Sequence, residues 1–174
     1  MDKLKLFILS ESRKKTLVSF VSWKNEFYLA GGTGLALQIG HRDSIDFDFF
    51  SNNSFDSNKM IERLSKLFDN KSFKVTQIEK NTLSILLQSE IKISFMTYEY
   101  DLLNPLISTE YMNIASIPDI ACMKLSTIMQ RSALKDYVDL YEIMKIYNLE
   151  QLLSFVKKKY PMIDSTVILK SLSY

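Results

Sequence analysis

The sequence predicts an α+β fold in which a mixed sheet with flanking helices comes first and a short helical bundle follows. Two observations predict this order. Between residues 27 and 115, short apolar or alternating runs are separated by tight polar turns, a pattern typical of strands. From Pro118 onward, apolar residues recur at helical spacing. We therefore expect a core over residues 1–115 and a helical region over residues 116–174 that packs on the same domain.

Each element follows from its local pattern. Residues 4–24 carry apolar side chains at roughly helical spacing. Residues 44–50 alternate, which predicts a half-buried strand with Ile45 and Phe47 on the buried face. Gly40 is the predicted C-cap of a short helix. The other predicted elements are strands over 27–30, 73–79, 83–88, 91–97 and 111–115, and helices over 35–39, 59–68, 119–129, 133–147, 149–159 and 165–172.

Composition excludes several classes of protein. Hydrophobic residues make up 47% of the chain and charged residues 24%, which is enough apolar surface for a core and too much for a disordered chain. No apolar run approaches the roughly 20 residues that span a bilayer, so we expect a cytoplasmic protein with no membrane partner. Cys122 is the only cysteine, which excludes a disulfide framework. The net charge of +2 is too small for a domain that coats nucleic acid, and Lys157, Lys158 and Lys159 are predicted to form a solvated helix face.

All four glycines of the chain lie within ten residues, at positions 31, 32, 34 and 40. The first two follow a short buried strand and open a helix. A helix N-terminus presents backbone N–H groups and a partial positive charge, which suits a phosphate. Glycine lets phosphate oxygens approach those groups because no Cβ intervenes. A Gly-Gly pair alone is an ordinary tight turn, but here Gly31, Gly32 and Thr33 are predicted to cradle a phosphate.

Two carboxylates follow on the next predicted strand. Asp46 and Asp48 lie two residues apart and so share one face of that strand. Such a pair suits Mg²⁺, which prefers hard oxygen ligands. A phosphate cradle beside a metal-holding carboxylate pair is the arrangement that nucleotidyl transfer needs. In the loop between them, Arg42 is predicted to pair with Asp46 or with a phosphate, whereas His41 is predicted to be a loop or packing residue.

A second group of charges lies in the C-terminal third. If residues 119–147 formed one helix, four charged side chains would lie within a sector of roughly 80°. They would then form a stripe suited to a triphosphate and its metal, although ordinary surface ion pairs would use the same spacing. Ser132 is also a good N-cap and would divide this helix in two. The four residues are Lys124, Arg131, Lys135 and Asp139.

These two regions also carry a family resemblance. The segment LAGGTGLALQIGHRDSIDFDFF resembles the signature of the AbiEii-type nucleotidyltransferase toxins. These toxins belong to the DNA polymerase β-like nucleotidyltransferase superfamily. The family's second motif, a lysine-bearing helix that ends in arginine before [KR]-D-x-x-D-L, resembles ACMKLSTIMQR and KDYVDL. The two matches cover roughly residues 27–50 and 115–143.

The resemblance implies a polymerase β-like fold and Mg²⁺-dependent transfer of a nucleotide from a nucleoside triphosphate to an acceptor, with RNA such as tRNA the first expectation. It also implies a toxin with a cognate antitoxin. The residues expected to hold the metal are Asp46 and Asp48. The other residues expected in catalysis are Lys124, Lys135, Asp136 and Asp139. The residues expected to bind the nucleotide are Gly31, Gly32, Thr33, Arg42 and Arg131.

One departure from the superfamily pattern bears on turnover. These enzymes commonly place a third carboxylate on a later strand, facing the Asp-x-Asp pair, and Ser94 stands where that acid is expected. Two other functions therefore stay open. One is a catalytically weak module that binds a nucleotide or a partner protein, and the other is an enzyme that nucleotidylates protein.

Overall fold

The computed structural model describes residues 4–69, 72–131 and 133–173. Seven strands belong to one mixed sheet. They are β1 (Tyr28–Leu29), β2 (Phe47–Ser51), β3 (Phe73–Glu79), β4 (Thr82–Leu87), β5 (Lys92–Thr97), β6 (Ile107–Ser108) and β7 (Asn113–Ile114). The strand order across the sheet is β3-β4-β5-β2-β1-β7-β6. β6 has no counterpart among the predicted strands, because two residues carry no periodic pattern.

Seven α-helices are described in the same residues. They are α1 (Glu11–Ser19), α2 (Gly31–Ile39), α3 (Ser57–Leu67), α4 (Ile117–Gln130), α5 (Leu134–Met144), α6 (Leu149–Lys159) and α7 (Ser165–Leu172). Short 3-10 helices flank α1 over Leu6–Ile8 and Val21–Trp23. The chain divides into two compact units. The first contains Met1–Glu99 and Ser108–Ile114, and the second contains Tyr100–Ile107 and Ala115–Tyr174.

The aromatic core of the first unit fixes which face of β2 is buried. β2 lies between β1 and β5, antiparallel to the first and parallel to the second. Phe47 and Phe49 of β2 are fully buried. Phe49 stacks on Phe95 of β5 with ring centroids 5.3 Å apart, and Phe20 contacts both rings. Because side chains alternate along a strand, Asp48 lies on the opposite face of the sheet.

β2 begins later than the alternating pattern predicts. It starts at Phe47, and the expectation that Ile45 is buried is wrong, because that side chain is 52% exposed. β1 ends at Leu29 and the chain turns at once into α2. The residues before Phe47 therefore have no β1 backbone to pair with, and Asp46 lies just outside the strand rather than within it.

Over residues 119–147 the second unit has two helices, as predicted, where one continuous helix was the open alternative. α4 ends at Gln130, and Arg131 has an extended backbone, with φ −151° and ψ 141°. α5 then begins after Ala133, while Ser132 lies outside the described residues. A single helical stripe of charges over 119–147 is thus not formed. The helices of this unit instead pack around α4, which contacts α5, α6 and α7.

The predicted solvated lysine face of α6 is also partly wrong. Lys157 and Lys158 are exposed, but the side chain of Lys159 is fully buried and lies 2.7 Å from Asp119. Lys159 follows Leu152 by seven residues, so it lies on the buried face of the helix. Among the described residues, no helix is both long and apolar enough to cross a membrane.

Candidate nucleotide and metal site

The N-terminus of α2 is a set of backbone donors that has no side-chain cap. Ala30 occupies the N-cap position, and its side chain has no oxygen that could accept from the N–H groups of the first turn. The first intrahelical bond runs from the Gly34 N–H to the Ala30 carbonyl oxygen, at 2.9 Å. The N–H groups of Gly31, Gly32 and Thr33 cannot bond within the helix. This turn therefore has the chemistry of an anion site.

Gly31 is required at its position for two reasons. Its φ of +62° lies in the left-handed region, which side chains rarely adopt. A Cβ there would also lie 2.5 Å from Oδ2 of Asp48. The carboxylate of Asp48 thus packs directly against the first turn of α2, and the glycine makes that approach possible.

Gly32 leaves room for a different side chain. A Cβ at this residue would lie 2.5 Å from Nη2 of Arg42 and 3.3 Å from Oγ of Ser44. Whether a phosphate binds at this turn stays a prediction, and the structure shows which side chains lie beside it. The guanidinium of Arg42 lies over Gly32, and the carboxylate of Asp48 lies over Gly31.

Thr33 holds the segment that carries the first carboxylate. Its side chain is buried, with 1% of the residue exposed. The hydroxyl group donates to the backbone carbonyl oxygen of Asp46 and hydrogen-bonds Oγ of Ser44 at 2.8 Å. The side chain thus ties residues 44–46 to α2, so Thr33 has a positioning role in addition to the backbone N–H predicted for it.

Asp46 and Asp48 are the residues predicted to bind a metal. Both are half-buried, and their carboxylate oxygens are the ligand type that Mg²⁺ prefers. The described residues hold no group of three or more histidine, cysteine, aspartate or glutamate side chains able to bind one ion. The strand register pairs Ser94 with Asp48, where the sequence predicted it, and the hydroxyl of Ser84 lies 3.2 Å from that of Ser94. Two serines therefore stand on β4 and β5 where a third carboxylate was expected.

The second unit contains a buried cluster of charges at the α4–α5 contact. Nζ of Lys124 lies 2.7 Å from Oδ1 of Asp136 and 2.6 Å from Oδ2 of Asp139. All three side chains are at most 8% exposed. Asp136 and Asp139 are three residues apart on α5 and so face the same way. The helix is interrupted between α4 and α5, yet Lys124, Asp136 and Asp139 come together because the two helices pack against each other.

The remaining predicted residues of this region lie at its surface. Arg131 is exposed, and Nη2 lies 3.7 Å from Oδ2 of Asp136, too far for a hydrogen bond. That buried oxygen has no hydrogen-bond partner among the described residues. Lys135 is exposed on α5, away from the buried face that carries Asp136.

A second buried ion pair in this unit was missed by the sequence analysis. Oδ1 of Asp119 accepts from Lys159 and from the backbone N–H of Leu103, both at 2.7–2.8 Å. Oδ2 accepts from the hydroxyl of Ser116 at 2.7 Å. Nearby, burial raises the pKa of the Cys122 thiol to about 12, so this thiol stays protonated at neutral pH and is unsuited to act as a nucleophile.

Comparison with known proteins places these features in context. The model of the family described as "Nucleotidyl transferase AbiEii toxin, Type IV TA system" matches residues 15–162. An uncharacterised protein of Aquifex aeolicus (strain VF5) is 41% identical over 177 residues, which cover 95% of this chain and 82% of that protein. The matched region contains both motifs and both charge clusters.

Two solved structures share the fold. JHP933 from Helicobacter pylori is 18% identical, with a TM-score of 0.59 over 94% of this chain and 89% of JHP933. MenT4, a nucleotidyltransferase toxin of Mycobacterium tuberculosis H37Rv, is 16% identical, with a TM-score of 0.52 over 83% of this chain and 61% of MenT4. The fold is that of the polymerase β-like nucleotidyltransferases, as the resemblance implied.

Proposed function

Because the chain belongs to the AbiEii family of nucleotidyltransferase toxins, which confirms the resemblance of its two motifs, we propose that it transfers a nucleoside monophosphate to RNA. The family makes the chain a nucleotidyltransferase and a toxin. The finer assignments are proposals. They are a nucleoside triphosphate as donor, Mg²⁺ as the metal, tRNA as the first acceptor to test, and a cognate antitoxin in the same cytoplasm.

One observation carries this proposal: the packing of Asp48 against the first turn of α2. Oδ2 of Asp48 lies 2.5 Å from the position that a Cβ of Gly31 would take. A metal-binding carboxylate is thereby held beside the backbone N–H groups that suit a phosphate. An incoming triphosphate would meet donors for its oxygens and a carboxylate for its metal at the same turn.

The reaction follows from these groups. A hydroxyl oxygen of the acceptor attacks the α-phosphorus, the bond from that phosphorus to the bridging oxygen of the β-phosphate breaks, and pyrophosphate leaves with that electron pair. The hydroxyl proton passes to a base or to water. Bound Mg²⁺ supplies charge neutralisation of the phosphate oxygens. In this chain, α2 orients the triphosphate, Asp46 and Asp48 hold the metal, and Thr33 keeps Asp46 in place.

The buried cluster of the second unit is assigned through the family's second motif. Two carboxylates at 2.6–2.7 Å fix the ammonium group of Lys124 in one orientation. We assign Lys124 to stabilising the negative charge that develops on the departing pyrophosphate, and Asp136 and Asp139 to positioning it. Arg131 and Lys135 are assigned to contacts with the nucleotide or the acceptor, because both are exposed.

The test is transfer of an α-³²P-labelled nucleotide. Each of the four labelled triphosphates is incubated with the protein, Mg²⁺ and either total RNA or lysate protein, and the acceptors are separated by size. We expect label in small RNA, loss of labelling in Asp48→Asn, and normal labelling in Asp43→Asn, whose carboxylate lies exposed in the same loop. Label in protein instead would identify a protein-nucleotidylating enzyme.

A second candidate function rests on Ser94. Since a serine pairs with Asp48 where a third carboxylate is expected, the chain would on this account bind a nucleotide without transferring it at a useful rate. Nucleotide binding with no labelled acceptor from any triphosphate would favour this binding module. Ser94→Asp would then raise Mg²⁺-dependent transfer, whereas in an active wild-type enzyme the added charge would be neutral or harmful.

A further inference from the structure

The two glycines of the α2 turn differ in what they accommodate. Gly31 accommodates a carboxylate, and Gly32 accommodates a guanidinium, since the Cβ positions lie 2.5 Å from Oδ2 of Asp48 and from Nη2 of Arg42. Consecutive Cα atoms are 3.8 Å apart. A negative and a positive side chain therefore lie next to each other on one helix turn.

Other contacts hold the segment that carries Arg42. Its Nη1 donates to the carbonyl oxygen of Asp43 at 2.9 Å, which bends the side chain back along its own loop. Two residues later, Ser44 is buried and hydrogen-bonds Thr33 of α2. The loop is thus attached to the helix just beyond Arg42, and the guanidinium lies over Gly32 rather than extending into solvent.

We infer that Gly32 is a positioning residue, whose missing Cβ seats the guanidinium of Arg42 on the first turn of α2 so that this arginine contacts the phosphates of the donor nucleotide. The inference rests on the proposed nucleotide site. A phosphate at this turn would receive hydrogen bonds from the backbone N–H groups of α2 and from the planar N–H groups of Arg42. Guanidinium donors suit phosphate oxygens better than an ammonium group does, because two parallel N–H groups can bind at once.

This role predicts a specific dependence between the two residues. A methyl group at residue 32 would displace the guanidinium, because the arginine end is the mobile partner of the contact. Gly32→Ala should then cost nucleotide affinity about as much as Arg42→Ala does, roughly 10- to 100-fold for the loss of a charge-assisted contact. In a chain that already lacks the guanidinium, the same methyl group should cost almost nothing.

The experiment is a double-mutant cycle with Gly32→Ala, Arg42→Ala and the double variant. Affinity for Mg²⁺-tripolyphosphate and for each Mg²⁺-nucleoside triphosphate is measured by calorimetry, and the melting temperature is measured without ligand. Arg42→Lys tests the planar geometry. Arg13→Ala, which removes another arginine that contacts the same loop through the carbonyl oxygen of Ser44, is the matched control.

We expect equal losses of affinity in the two single variants, no further loss in the double variant and little change in the control, with tripolyphosphate and nucleotides alike. Two results would overturn it: an unchanged affinity in Arg42→Ala, or an equal loss from Gly32→Ala in both backgrounds. If the wild type binds none of these ligands, the proposed function and the phosphate contact both fail. The seating of Arg42 is then judged separately, by whether Gly32→Ala lowers the melting temperature only when Arg42 is present.

Discussion

Replacing Lys159 by methionine tests the buried ion pair of the second unit. The side chains of Lys159 and Asp119 are both fully buried. Nζ of Lys159 donates to Oδ1 of Asp119 at 2.7 Å and to the carbonyl oxygen of Asp101 at 2.6 Å. Methionine keeps most of the buried stem and removes the charge, so the change isolates the electrostatic and hydrogen-bond contribution.

The expected magnitude follows from what Asp119 would retain. Removing one partner of a buried ion pair typically costs 3–5 kcal/mol, because the other charge is left uncompensated. Asp119 would still accept hydrogen bonds from the N–H groups of Leu103 and Asn104 and from the hydroxyl of Ser116. We therefore expect a loss near the lower end, about 3 kcal/mol. For a chain of this length that lowers the melting temperature by roughly 6–12 °C.

The assay is thermal unfolding followed by circular dichroism, with Lys158→Met as the matched control. Lys158 is the exposed neighbour of Lys159, and its replacement should change stability by no more than about 0.5 kcal/mol. The double variant Lys159→Met with Asp119→Asn should be more stable than Lys159→Met alone, since it removes the uncompensated charge. Equal melting temperatures for Lys159→Met and Lys158→Met would show that the ion pair does not stabilise the protein, and a double variant less stable than Lys159→Met would show that no uncompensated charge remains there.

Two further predictions concern the first unit. Gly31→Ala should abolish Mg²⁺-dependent transfer, because its methyl group meets the Asp48 carboxylate and its φ is positive; transfer at the wild-type rate in a folded variant would disprove the packing. Glu26 accepts two hydrogen bonds of 2.7 Å from Arg63, and these lower the pKa of the Glu26 carboxyl. The contact therefore stabilises the folded protein above the unfolded pKa of about 4.3, and this stabilisation is lost as the pH falls through the lower folded pKa. Glu26→Gln should thus cost at most about 1 kcal/mol at pH 7, a difference that disappears in acid, and urea unfolding at pH 7 and pH 3 checks both values.

Local patterns predicted those elements that local forces determine. The bounds of β3, α6 and α7 agree with the sequence prediction, because each begins directly after a polar turn or an N-cap residue. Gly40 caps α2 with φ +71°, as expected from its position after the helix. The prediction that Ile45 is buried is wrong because alternation assigns a side chain to one face only while the backbone stays in the sheet.

Long-range partners account for the remaining differences. Lys159 is one of three consecutive lysines, and its burial depends on Asp119, which lies forty residues earlier in the chain. The seat of Arg42 on Gly32 likewise depends on how a loop returns to a helix. A Gly-Gly pair indicates a close approach of the backbone, but it does not say whether a phosphate or a side chain makes that approach.

The proposed function requires that Asp46 and Asp48 hold the metal of a nucleotide bound at the α2 turn. Its most direct test is electron paramagnetic resonance of Mn²⁺, used in place of Mg²⁺, with a triphosphate analogue that has a methylene bridge between the α- and β-phosphorus atoms. We predict that Mn²⁺ binds wild type and Asp43→Asn equally in the presence of the analogue, and that Asp46→Asn and Asp48→Asn each weaken its binding at least about tenfold, as for the loss of one charged ligand. Wild-type Mn²⁺ affinity in either of these two variants would contradict the proposed function.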